Sequence, residues 1–218
     1  MKAPQDILDG ISADNCEAVY QAFYPACQAG GFDGALLVAQ INEVFHAHRD
    51  PVLRSYCFLL LSAVVDSGTL SKEACQETAD FLVQELRALT DFSLKDDQGR
   101  YIHYLSHMGY LAGSLRGRTD MGDLYEALLN AYLRSDVQVC GHEDVVLGEV
   151  LLDAPNLADF LGRLKGQAPQ GASMARFHAE ANKRALWLAM YGLNTRLKRQ
   201  DPAVFAPLLG DLAAIVQD

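Results

Sequence analysis

The chain has 218 residues, half of them apolar and 21% charged, a balance that suits one compact domain and excludes a disordered polymer. Eighteen basic against twenty-eight acidic side chains leave a net charge of −10, so the molecular field repels nucleic acid and anionic membrane and favours a basic partner.

Apolar residues recur every three or four positions, and alternating runs rich in β-branched residues are missing, so the pattern predicts an all-α fold. In chain order the expected helices cover 13–28, 33–48, 51–67, 72–90, 99–116, 121–134, 142–153, 156–165, 172–199 and 203–216. Gly30 and Gly31 interrupt the first pair. Asp50 can accept hydrogen bonds from the free amides of the third helix, and Pro51 suits its first position because the missing N–H would have no partner there. Ser71 can cap the fourth, and Asp97-Gln98-Gly99 breaks the chain before the fifth. Gly117 precedes the sixth, where Asp120 and Asp123 have the spacing of a capping arrangement. Gly166 through Gly171, with Pro169 between, is the best loop or linker before a C-terminal helical pair, within one domain spanning 1–218.

The longest apolar run, Tyr56 to Val65, is far shorter than the ~20 residues that span a bilayer, and the N-terminus has no apolar signal core. The expectation is a soluble cytoplasmic protein with no membrane partner. Cys16, Cys27, Cys57, Cys75 and Cys140 are odd in number and widely spaced, which suits reduced thiols in helix cores. Helices joined by short loops pack as antiparallel pairs, either as a short α-solenoid or as a closed bundle. Asp50-Pro51-Val52-Leu53-Arg54 followed by an apolar helix resembles the second helix of a HEAT-type repeat, which implies a structural role for Asp50 and Arg54 in tying hairpins together.

Charge is uneven. Residues 1–100 carry a net −8, 101–168 a net −4 and 169–218 a net +2. The basic residues of the last quarter, among them Arg176, Lys183 and Arg184, share one predicted helix with Trp187, the sole tryptophan; a solvated face with Trp187 in the core is the favoured reading, and a surface for a partner or ligand is the alternative.

The most pointed cluster is Arg100-Tyr101-Ile102-His103-Tyr104-Leu105-Ser106-His107-Met108-Gly109-Tyr110. Residues four apart on a helix share a face, so His103 and His107 can aim two imidazoles at one point and hold a transition metal. A helical wheel puts both on the flank of an apolar stripe, bordering a groove or solvent. Gly141-His142-Glu143-Asp144, at a later helix start, would supply His142, Glu143 or Asp144 as further ligands. Without the intervening glutamate that metalloproteases carry, the favoured reading of the pair is structural hydrogen bonding to a loop or a neighbouring helix, with metal or acid–base chemistry as the alternative. Arg100, Tyr101, Tyr104 and Tyr110 complete the set of candidate surface residues. The glycine-rich stretch at Gly30 lacks the Lys-Ser or Lys-Thr of a phosphate loop, and no Gly-x-Ser-x-Gly elbow occurs.

Taken together, Asp50 to Ser55, Asp97 to Arg100 leading into His103 and His107, and Glu143-Asp144 resemble a bacterial family of helical-repeat proteins known as a domain of unknown function (twenty-seven eighty-five). The resemblance covers about a third of the chain and would mark Asp50, Arg54, His103, His107 and Asp144 as shared. That family tends to carry an acidic residue where Tyr110 stands. The resemblance implies a helical-repeat fold and no particular chemistry.

Three functions remain. The favoured one is a noncatalytic interaction module that binds a basic protein, for example a bacterial immunity or inhibitor protein that neutralises a toxin domain. The second is a metal-dependent or acid–base hydrolytic enzyme built on the histidine helix. The third is a small-ligand sensor with a pocket lined by Tyr101, Tyr104, Tyr110 and Trp187. The balance is against catalysis, and no catalytic residue is assigned.

Overall fold

A computed structural model describes residues 2–135, 137, 142–166 and 174–206, with the side chains of 163–166 and 174–176 outside the description. The chain is all-α: α1 (Pro4–Leu8), α2 (Cys16–Gln28), α3 (Gly34–Ala47), α4 (Pro51–Asp66), α5 (Lys72–Ala88), α6 (Tyr104–Leu115), α7 (Gly122–Arg134), α8 (His142–Leu151), α9 (Leu157–Gly166) and α10 (Met174–Leu197), then a 3-10 turn at Pro202–Phe205. Among the described residues the only extended pairing is one antiparallel bridge, Lys95 with Tyr101. No helix among them is long and apolar enough to cross a membrane.

The starts follow their caps. Asp33 accepts from Leu36 N, Asp50 from Val52 N and Leu53 N, and Ser71 from Ala74 N, each satisfying amides that the first helical turn leaves unpaired. Gly30 and Gly31 both have positive φ, +73° and +82°, which only glycine adopts without strain, and so they turn the chain from α2 into α3. The expected Asp120–Asp123 cap does not form. Met121 occupies the N-cap position, Asp120 accepts from Gly122 N, and Asp123 pairs instead with Arg87 on α5.

The expected helix over 99–116 begins five residues late. Asp96 accepts from Gln98 N and Arg100 N through its side chain, and Gly99, at φ +80°, donates to the Asp96 carbonyl. A carboxylate that offers the backbone such local partners favours a turn over a helix. The region expected to be a helix over 203–216 contains the 3-10 turn, and 207–218 lies outside the described residues, as do 167–171 of the anticipated linker and Cys140.

Packing runs through the even-numbered helices. α2 lies on α4, α4 on α6, α6 on α8 and α8 on α10, while α3 packs on α4, α5 on α6 and α7, and α7 on α10. α4 sits in the middle because it is apolar all round: twelve of its sixteen residues are buried, so no polar stripe remains to face water. Its buried Ser55 and Ser62 return their hydroxyl protons to the carbonyls of Val52 and Leu59. One continuous apolar cluster extends from Leu8 to Phe205. Cys16, Cys27, Cys57 and Cys75 are buried free thiols within it, and burial pushes Cys27 and Cys57 up to about 12.

Candidate functional site

The candidate site lies where α2, α4, α6 and α8 present aromatic, imidazole and acidic side chains to one another. The late start of α6 makes His103 its N-cap residue, half-exposed, with the ring stacked on Tyr101 at 5.8 Å and Nδ1 3.6 Å from Oε1 of Glu143. One turn on, His107 is buried, 6% exposed, in the seam between α4 and α6. The expectation that both histidines border a groove therefore fails for His107. The helical wheel took one apolar stripe as the whole buried surface, whereas α6 is packed by α4, α5 and α8 and buries most of its circumference.

The imidazole of His107 hydrogen-bonds the Ser55 carbonyl at 3.0 Å; a carbonyl can only accept, so Nδ1 carries the proton. Burial pushes its pKa down to about 3; the hydrogen bond to Ser55 opposes that shift, and the nearby His103 and His142 add to it. The Tyr56 ring closes the other side at 5.0 Å, edge to face. The two histidine rings are 5.3 Å apart.

At the start of α8, exposed His142 places Nε2 2.8 Å from the hydroxyl of Tyr110. Glu143 and Asp144 follow it in sequence but are buried on different sides. Glu143 faces His103, whereas Asp144 accepts a hydrogen bond from Tyr132, whose hydroxyl also lies 2.8 Å from the Asn182 carbonyl toward α10. Asp144 therefore belongs to a structural network, and the five proposed ligands do not converge. Among the described residues no three histidine, cysteine, aspartate or glutamate side chains are disposed to hold a metal ion. What the histidines offer is a carboxylate–imidazole pair, His103 with Glu143, beside a neutral buried imidazole.

The remaining surface residues divide. Tyr101 is 60% exposed with Lys95 Nζ 4.4 Å from its ring centre, and Tyr110 is 41% exposed. Tyr104 instead packs on Phe58, half-buried, and burial pushes its hydroxyl up to about 12. Arg100 is no free surface cation: its guanidinium meets Asp50 and Asp96 at 2.6 Å and Asp14 at 3.4 Å. Lys183 is buried and paired with Glu180 at 3.0 Å. Trp187 is buried and stacked on Tyr191, and its Nε1 has no partner among the described residues. Arg184 is exposed, and the side chain of Arg176 lies outside the described residues. The anticipated basic face thus loses Lys183. Asp50 and Arg54 do link elements: Asp50 joins the start of α4 to the turn before α6, and Arg54 joins Glu85 of α5 while lying 4.0 Å over the Phe45 ring of α3.

Several residues of this face carry no motif. Tyr20 and Tyr24 of α2 stand with ring centres 6.0 Å apart, and burial, with smaller contributions from neighbouring groups such as Asp66 at the end of α4, pushes the Tyr20 hydroxyl up. Glu149 of α8 acts on Tyr110. The four-residue spacing of Tyr20 and Tyr24 and the lone acid closing an apolar helix were the available signals. Between α6 and α8 runs a groove of about 310 Å³, lined by small and apolar residues of both helices and by Asp66, Tyr110, Arg116, His142 and Glu149. No protein-family model, curated protein or solved structure matches the chain.

Proposed function

We propose that the protein is a noncatalytic interaction module whose packed even-numbered helices form a short solenoid-like row and present their shared face to a basic protein. The observation that carries this reading is the groove that brings Tyr110 and His142 together with the carboxylates of Asp66 and Glu149, in a chain of net charge −10. Tyrosine supplies rigid contact area at small entropic cost, and a surrounding negative field steers a cationic partner and selects against anionic ones. A cytoplasmic inhibitor that neutralises a basic toxin domain is one such module. The metal-dependent reading has less support, because Asp144 turns away from the histidines and His107 spends Nδ1 on a main-chain carbonyl.

Affinity capture from the native cell, run with the unaltered chain and with an Asp66→Lys, Glu149→Lys variant, tests it. Capture of a basic protein should weaken from about 0.05 M to about 0.5 M salt as the Debye length shrinks, and should be lost on charge reversal. Equal capture by both chains at both ionic strengths would refute the reading.

A further inference from the structure

We infer that the groove between α6 and α8 is a seat for a single arginine side chain of the partner, an assignment that rests on the interaction reading above. The groove exists because α6 carries glycine where it meets α8. A Cβ on Gly109 would lie 2.8 Å from Val146 Cγ1, so the helices approach closely there, and one turn later Gly113 leaves space, its Cβ position standing 3.8 Å from Val150 Cγ2. Gly109, Gly113, Val146 and Val150 thus give the groove an apolar stretch suited to the methylene stem of a long side chain.

The edges suit the head. Asp66 is exposed and has no ion-pair partner among the described residues. Glu149 is partly engaged by Arg199 at 3.3 Å, and Asp153 meets Arg116 at 2.6 Å and Arg199 at 3.3 Å. Among the described residues, Asp66, Glu149 and Arg116 are the Asp, Glu, Lys or Arg residues that line the groove; Arg116 is held by Asp153 and Glu149 by Arg199, which leaves the charge of Asp66 uncompensated, so a cation fits beside it and an anion does not. Tyr110, held by its hydrogen bond to His142, offers a ring over which a planar cation can lie. A guanidinium can pair through its fork with a carboxylate while its plane rests on an aromatic face, which an ammonium cannot do. Arg54 already lies 4.0 Å over the Phe45 ring within the same protein.

Fluorescence anisotropy with labelled oligoarginine, oligolysine and oligocitrulline peptides of equal length tests this. Oligoarginine should bind most tightly, oligolysine more weakly, and the uncharged citrulline peptide not at all. Asp66→Asn should weaken oligoarginine binding about two- to fivefold, the loss of one partly exposed charge contact. Gly113→Leu, which fills the groove with a residue that favours helix more than glycine does, should weaken it about tenfold with melting temperature retained. Glu43→Gln, on exposed α3 surface, should have no such effect. Oligoarginine binding unaltered by Asp66→Asn and Gly113→Leu, or weakened as much by Glu43→Gln as by Asp66→Asn, overturns the seat and leaves the interaction reading standing. Equal binding of oligolysine overturns the choice of arginine. If oligoarginine fails to bind the unaltered chain at low salt, both the seat and the basic partner fall.

Discussion

His107 shows how much one residue's role depends on its surroundings. Its ring lies between α4 and α6, hydrogen-bonded to Ser55 and closed by Tyr56, and burial keeps it uncharged with a pKa near 3. The unfolded chain takes up a proton at this side chain near pH 6.5, so between about pH 6.5 and 3 the unfolded state binds more protons than the native one. The stability that this neutral histidine confers is present in full above about pH 6.5 and declines as pH falls, by up to ~1.4 kcal/mol per pH unit for one proton. Urea titrations between about pH 7 and pH 5 should show that slope, and His107→Gln should reduce it by one proton's worth. A slope identical in the two proteins would mean that His107 titrates normally in the fold. The spacing of His103 and His107 was legible in the sequence. Which of the two would be buried was not, because it depends on the residue at which α6 starts and on which helices surround it.

At the scale of elements, Asp50 performs two tasks with one carboxylate. Oδ1 accepts from the first free amides of α4, and Oδ2 meets Arg100 in the turn that displaces the start of α6. Asp50→Ala should cost about 1 kcal/mol through the lost cap alone. Asp50→Asn keeps a capping oxygen and loses the charge, so the difference between the two variants in chemical denaturation separates cap from ion pair. If Asn is as damaging as Ala, the cap contributes nothing measurable. Capping by Asp50 and Ser71 could be read from the sequence because a cap and its amides lie within three residues of each other; Asp33 caps α3 by the same local geometry. The turn at Asp96 is only partly legible: its breaker Gly99 is evident, but the backbone bond from Ile102 N to the Leu94 carbonyl and the ties of Arg100 to Asp96 and distant Asp50, which together delay α6 to Tyr104, are not.

For the whole molecule, the single apolar cluster from Leu8 to Phe205 implies one cooperative unit. Trp187, the sole tryptophan, is buried on α10 near the C-terminal end of that cluster, whereas most of the helical signal comes from α2 to α8. Tryptophan fluorescence and far-ultraviolet circular dichroism should therefore trace the same urea transition. A fluorescence change that precedes loss of helix would show α10 to be a separate unit, and with it a boundary at the anticipated linker.

The helical period, the caps and the acidic balance are properties of neighbouring residues or of simple sums, and the sequence alone determined the all-α class, most helix positions and the net charge of −10. Convergence is a property of packing. That Asp66, Tyr110 and Glu149 meet around one groove, that Asp144 turns toward Tyr132 while Glu143 turns toward His103, and that Arg100 is consumed by three carboxylates were decided only when the helices came together. The reason is geometric: a helix specifies the angle between its own side chains, but the angle at which it is rotated against its neighbours follows from the shape and volume of every residue in the shared core.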